Sequence, residues 1–395
     1  MKILKPFLLL IILFFAPLYA NAIEQTILQE KPAPINEGEI LQDDVIDLKE
    51  ENDDYTIKGV EYKDDNDGLD FKLFVQKTFA DRKTLKFESG FIDEFSAELR
   101  FQGTNSFENL ENHRTSQYPF DINLALESKF DNEKYRFFAD FAFARDVDFL
   151  DNEFFGKFSC LFIERKINQN HLIRIGTNRS PIGLEGQTSS FALPFANRAQ
   201  ISRNFGNAYS TGVAFVGKKD WFEYDLGTYT TTRYTQGFDD GMEFVGRVGF
   251  SPFYNKENEY LKKLKIYTGS AVGHRSKDYQ VYNTALTYEY KKFLANFEYA
   301  YANGSNSKFL VDKKQQGFFA TLGYNFTPKL QLLLRYDLFD TNTKTTDDIN
   351  HEYSIGLNYF VFKQRLRFAL NYVFANNEKT NNKTNAIYFM TQFFI

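Results

Sequence analysis

Residues 71–395 predict an all-β fold: a transmembrane antiparallel β-barrel of about 16 strands with an infolded constriction loop. Three observations carry this expectation. Apolar and polar residues alternate strictly in many separate runs, which places one set on each face of a strand. The runs last about 9–12 residues, the length a tilted strand needs to cross a bilayer and longer than the usual strand of a soluble sandwich. Aromatic residues reach 18 %, with 45 Phe and 24 Tyr, while no apolar run after residue 22 is long enough for a membrane helix.

Composition excludes other classes. Charged residues, at 25 %, are too dispersed for a helical membrane protein, and Phe and Tyr are too numerous for a disordered chain. A single Cys permits neither an intrachain disulfide nor a Cys-based zinc site. The four histidines, His113, His171, His274 and His351, never fall at ligand spacing. No metal, other cofactor or nucleic-acid partner is expected.

In chain order, residues 1–22 read as a signal peptide. Lys2 and Lys5 precede an apolar core from 7 to 16, and Ala20-Asn21-Ala22 is a small-x-small cleavage pattern. Residues 23–70 hold 16 acidic and 4 basic residues, a net charge of −12, and are expected to form an acidic, mobile N-terminal arm. Within it, Asp64-Asp65-Asn66-Asp67-Gly68 clusters oxygens as a calcium loop would. It lacks the alternate-position spacing and the distant Glu of an EF-hand. Residues 71–395, the barrel domain, carry +5 within an overall −5.

The strands announce themselves in this domain. Phe95, Ala97, Leu99 and Phe101 alternate with Ser96, Glu98 and Arg100. Leu330, Leu332, Leu334, Tyr336 and Leu338 alternate with Gln331, Arg335 and Asp337. Similar runs cover 121–127, 293–301, 353–359 and 366–374. Short turns at 218–220, 291–292 and 326–329 are expected to alternate with longer polar loops at 102–119, 303–316, 340–350 and 376–385. That is the arrangement of a barrel with short periplasmic turns and longer external loops. Tyr299, Tyr301, Tyr359, Phe360 and Phe362 stand at strand ends, where interfacial girdles form. Ile387, Phe389, Thr391, Phe393 and Ile395 make a last strand that closes the barrel.

With apolar positions outward, the inward set includes Arg100, Arg136, Arg174, Arg247, Arg335, Arg365 and Arg367, with Lys265 and Lys329. Glu98, Glu127, Asp140, Glu223, Asp225, Glu298 and Asp337 share that face. Arg or Lys facing lipid at the midplane would cost about 2–4 kcal/mol, so these side chains are expected in a water-filled lumen. The arginines form either an anion track or cross-strand pairs with the inward acids. Residues 178–208 lack alternation and carry Arg179, Arg198 and Arg203 against the single Glu185. Pro181, Gly183, Gly186, Pro194 and Gly206 give this stretch a defined path, expected to fold inward and narrow the pore.

Arg174-Ile-Gly-Thr-Asn-Arg-Ser-Pro-Ile-Gly-Leu-Glu185, then Thr188-Ser189-Ser190 and Phe195-Ala-Asn-Arg198, resembles the phosphate-selective porin O/P family. Arg335-Tyr-Asp337, Ile355-Gly-Leu-Asn-Tyr359 and Arg367 with Tyr372 are similar to its closing strands. The resemblance implies a 16-stranded trimeric outer-membrane channel with an infolded loop and an anion preference. Arg179 stands where the family has Lys, and Asn197 replaces a Glu, so a structural pair with Arg198 is lost. A phosphate-binding lysine cluster has its nearest counterpart in Lys256, Lys262 and Lys263, interleaved with Glu257 and Glu259.

The leading expectation is therefore an outer-membrane porin for passive diffusion of small anions, phosphate among them, with outer-membrane lipid and a homotrimer as its surroundings. A general non-selective porin, a plugged adhesin and a barrel enzyme are the alternatives. The enzyme reading would use His351 beside Asp347 and Asp348, or His113 near Ser116. The acidic arm is also complementary in charge to the lumen and could plug it.

Overall fold

The computed structural model describes residues 84–87, 90–110, 113–117, 120–144, 157–206, 208–232, 241–255, 257, 259–307 and 310–395. The expected signal peptide and acidic arm, 1–22 and 23–70, lie outside the described residues. The first strands are β1 (Thr84–Lys86), β2 (Ile92–Leu110), β3 (His113–Gln117), β4 (Phe120–Phe130), β5 (Tyr135–Ala144) and β6 (Lys157–Asn168). Then come β7 (His171–Arg179), β8 (Tyr209–Lys219), β9 (Phe222–Thr230), β10 (Met242–Phe250), β11 (Leu264–Arg275) and β12 (Lys277–Tyr290). The last are β13 (Phe293–Asn306), β14 (Leu310–Thr327), β15 (Leu330–Asp340), β16 (Ile349–Phe362), β17 (Leu366–Asn377) and β18 (Asn382–Phe394).

Sixteen of these close an antiparallel barrel, each pairing with its neighbour in sequence, and β18 returns to pair with β2. The ring is sealed at the chain end, where the Ile395 and Leu99 backbones exchange two hydrogen bonds of 2.8 Å. The other two strands are short. β1 pairs with β2 at Glu94–Ser96, and β3 pairs with its far end from Ser106 to Leu110. Closure leaves no open sheet edge in the ring, the condition for a sheet in hydrocarbon.

Alternation reads directly into two faces. Leu334, Ile355 and Leu370 are 44–49 % exposed, while their neighbours Arg335, Ser354 and Asn371 are at most 5 % exposed. Rings gather in rows near both ends of this outer face. Phe91, Phe130 and Tyr135 pack at 5.2 and 5.5 Å at one end, and Phe318, Tyr336 and Tyr353 at 5.6 and 4.9 Å at the other. The short turns hold as expected, with Lys291-Lys292 joining β12 to β13 and Pro328-Lys329 joining β14 to β15.

Two expectations change. Much of the polar sequence assigned to long loops is strand. β2 runs on to Leu110, β13 and β14 leave only 307–309 between them, and β17 and β18 leave only 378–381. Beyond the bilayer both faces of a hairpin are wet, so the ladder continues while the alternation that reveals it stops. The lumen is also not uniformly polar. Ala214, Val245, Ala271, Val281, Ala285, Ala300, Ala302, Phe319 and Phe339 line the inner wall of β8–β15 and form one apolar core with Ile182, Leu184, Ile201 and Phe205. The loop containing those last four residues covers this wall.

Candidate functional site

The site is built by residues 180–206, which leave β7 and cross the inside of the barrel. They form two short helices, α1 (Leu184–Gln187) and α2 (Gln200–Phe205), separated by a 3₁₀ turn at Ser190–Ala192. Neither helix has a capping side chain of its own, since Gly183 and Ala199 occupy the N-cap positions. Orphan N–H groups at helix starts need acceptors, and carboxylates supply them from elsewhere. Glu298 accepts from the Leu184 N–H at 2.9 Å. Asp337 accepts from the Gln200 N–H at 2.7 Å, and Glu185 from the Ala199 N–H at 2.5 Å. Negative charge at these termini is also favoured by the helix dipole.

The rest of the loop backbone is satisfied the same way. The Asn371 side-chain oxygen accepts from the Ala196 N–H at 2.7 Å, and Asn358 donates to the Pro194 carbonyl at 2.9 Å. Gln102 donates to the Ser190 carbonyl at 3.2 Å, and Ser307 to that of Gly206 at 2.7 Å. A buried loop is tolerable only when its backbone groups find such partners. Gly183 turns the chain with φ of 80°, and a Cβ there would lie 2.9 Å from a Glu298 oxygen. At Gly206 a Cβ would meet the Gly186 Cα at 2.7 Å, so α1 and α2 approach too closely for a side chain.

The ten candidate arginines fall into three groups. Arg335, Arg367 and Arg198 hold the loop. Arg335 reaches both Glu185 oxygens at 3.3 Å, donates to the Asn197 carbonyl at 3.0 Å and lies 4.5 Å over the Phe195 ring. Arg367, fully buried, donates to the Leu193 carbonyl at 2.7 Å and to Gln392 at 3.2 Å. Arg198 donates to the Glu185 carbonyl. Glu185, the one acid that sequence reading noted in this loop, is thus its hub.

Arg136, Arg174, Arg247, Arg100 and Arg365 form a second group on the wall, where they pair with inward acids. Glu164 bridges Arg136 at 3.1 Å and Arg174 at 2.7 Å. Arg136 also takes Glu127 at 2.7 Å, and Arg174 takes Asp225 at 3.3 Å. Arg247 stands 3.6 Å from Glu223. Glu98 bridges Arg100 at 2.7 Å and Arg365 at 2.5 Å. Each of these wall arginines thus has an inward carboxylate as partner, Arg100 within its own strand and the others across the wall. Arg174, Arg136 and Arg247 also lie 4.9–5.3 Å over the inward Phe162, Phe138 and Tyr267 rings.

Arg179 and Arg203 make the third group, at the ends of the loop. Arg179 donates to the Tyr209 hydroxyl and covers its ring. Arg203, on α2, reaches Glu352 at 2.6 Å and keeps 40 % of its side chain exposed, the most of the ten. Lys262 and Lys263 belong elsewhere. They stand at and just after α3 (Glu259–Lys262), at the short-turn end outside the lumen, and Lys256 lies outside the described residues. There the Lys262 ammonium, 2.9 Å away, holds the Glu259 carboxyl below its ordinary value.

Sequence reading missed the capping roles of Glu298 and Asp337 and the pairing of Arg203 with Glu352, which no local pattern announces. His351 is also placed differently from its sequence neighbours. Its ring bonds Tyr336 at 2.9 Å and Glu378 at 3.2 Å, while Asp348 is taken up by Thr341 and Thr345.

Residues 256–395 match the family model described as phosphate-selective porin O and P. The match lies on the closing strands, beyond the loop motif at 174–198. No curated protein matches the chain in sequence. Among solved structures, the barrel is similar to the outer-membrane channel DcaP of Acinetobacter baumannii, with a TM-score of 0.56 and 12 % identity over 79 % of this chain and 99 % of that one. It is similar to the anion-selective porin from Comamonas acidovorans, again with a TM-score of 0.56 and 12 % identity, over 76 % and 99 %. A trimer form of OmpT from Vibrio cholerae gives 0.53 and 11 % over 76 % and 99 %. At these identities the likeness is one of fold: an outer-membrane-type barrel.

Proposed function

We propose that this chain is an outer-membrane porin through which small anions diffuse passively. The observation that carries the reading is the strap at 180–206, capped and pinned by wall side chains, which presents Arg203 to solvent inside a closed barrel of 16 strands. A guanidinium at a narrowing concentrates oxyanions, because low-dielectric walls focus its field. The family match over the closing strands and the likeness to an anion-selective porin support it. Export by residues 1–22, an acidic arm at 23–70 and a homotrimer complete the proposal. The trimer form of OmpT supports the last of these.

A second reading, a non-selective porin, is favoured by the wall ladder, whose arginines are matched by carboxylates. Reversal potentials of the purified chain in a planar bilayer across a potassium chloride gradient separate the two. A potential on the chloride side is expected. A value near zero favours the second reading, a cation preference overturns the anion assignment, and absence of conductance overturns the channel. Added phosphate that blocks chloride current would assign phosphate as a preferred solute.

A further inference from the structure

The two rims of the barrel differ in chemistry. At the long-loop end, outward tyrosine hydroxyls donate to neutral amides: Tyr299 to Gln316 at 3.1 Å and Tyr372 to Asn385 at 2.6 Å. At the short-turn end, basic groups lie over outward rings. Lys291 stands 5.2 Å from the Tyr290 ring centroid, while Lys134 and Arg165 stand 5.7 and 6.0 Å from that of Tyr135. The turns at 131–134, 218–221, 291–292, 328–329 and 363–364 together carry seven lysines and three acids, and Lys134 lies 3.8 Å from Asp131. Opposite them, 341–348 and 378–381 carry two lysines and three acids.

Arg165 is the informative member. Register places it in one cross-strand row with Phe130, Tyr135 and Ile173, on the face that also shows the exposed Ile163 and Ile175. A cation on the lipid face is costly at the midplane and is tolerated near the interface. The row therefore marks the level where hydrocarbon gives way to headgroups, and the basic groups one step further out meet phosphate. Aromatic rings seat at this level, and Lys and Arg stems extend past them to place their charge in the polar layer.

We propose that the short-turn rim binds the anionic headgroups of glycerophospholipids, with Lys134 and Arg165 around Tyr135 as one station and Lys291 on Tyr290 as another. Charge complementarity and continuity with the aromatic row select this occupant. Each basic group near a membrane surface contributes about 1 kcal/mol of attraction, a factor of about five. The proposal rests on the outer-membrane barrel reading, which makes the short-turn end the inner-leaflet side.

The test is native mass spectrometry of the full chain released from nanodiscs of phosphatidylethanolamine mixed with phosphatidylglycerol. Preferential retention of phosphatidylglycerol is expected, falling at least tenfold in a Lys134→Ala, Arg165→Ala, Lys291→Ala variant. It is expected to be kept in the matched Lys134→Arg, Arg165→Lys, Lys291→Arg variant. Equal retention of both lipids by the unsubstituted chain overturns the proposal, as does an unchanged preference in the alanine variant. These side chains lie outside the lumen, so conductance is expected to be unaltered in both variants. A chain that retains phosphatidylglycerol but does not conduct refutes the porin reading alone.

Discussion

The wall beneath the strap and the wall carrying the arginine ladder use the same residue types at equivalent inward positions, for different ends. Under the strap, Arg335, Arg367, Asp337, Asn358 and Asn371 all bond loop backbone. On the ladder wall, Arg136, Glu164, Arg174 and Asp225 bond one another. Inward charge on a barrel strand is therefore set by membrane exclusion, while its role is set by what lies opposite it in the lumen. The two walls should respond differently to the same kind of substitution.

Arg335→Ala gives the largest expected effect. It leaves the buried Glu185 carboxylate without its guanidinium, and breaking a buried pair by removing one partner costs about 3–5 kcal/mol. The strap should loosen, raising single-channel conductance while the heat-induced mobility shift of the barrel moves to lower temperature. On the ladder wall, Glu164→Gln removes the charge between Arg136 and Arg174, which retain Glu127 and Asp225. The expected loss is smaller, about 2 kcal/mol for hydrogen bonds to charged groups, with conductance unchanged and chloride preference increased. A widened pore in Glu164→Gln would erase the distinction between the walls.

Gly183→Ala sharpens it at the level of the backbone. At φ 80° and ψ 157° Gly183 occupies backbone space essentially confined to glycine, which costs another residue about 1–3 kcal/mol, and the new methyl would press on the Glu298 carboxylate that caps α1. Thermal scans of the variant should show a moderate loss of stability, and conductance should become noisier as the start of the strap shifts. A variant with unaltered stability and quiet current would place the anchorage of the strap elsewhere.

The barrel was legible in sequence because lipid enforces the period. Leu330 to Leu338 and Tyr353 to Tyr359 could not alternate as they do in a chain wet on both sides. The strap was legible as a break in that period, with Pro and Gly fixing its path. What stayed hidden is whatever depends on contacts across the lumen. Glu298 and Asp337 look like any other inward acids until α1 and α2 are laid against them, since their partners are 114 and 137 residues away. Val245, Ala271 and Ala300 face inward as apolar residues because the strap keeps water from them, a condition no local window contains. The upper halves of β2, β13 and β14 were hidden for the opposite reason, with water on both faces and no period to read.

Arg203 tests whether selectivity follows from exposure or from total charge. The ladder holds more arginines, but each is matched by a carboxylate within 4 Å, which reduces the field an ion feels at a distance. Arg203 is also paired, yet 40 % of its side chain faces solvent, so a passing anion can share the guanidinium with Glu352. Removing it should cost little stability, about 0–1 kcal/mol for an exposed pair, and leave the strap in place. If exposure governs, Arg203→Ala moves the reversal potential toward the cation side while conductance barely changes, because Glu352 is left alone in the lumen. Glu352→Gln should move it the other way. Equal and opposite shifts would make this pair the charge filter of the pore, whereas no shift in either variant would return selectivity to the ladder wall.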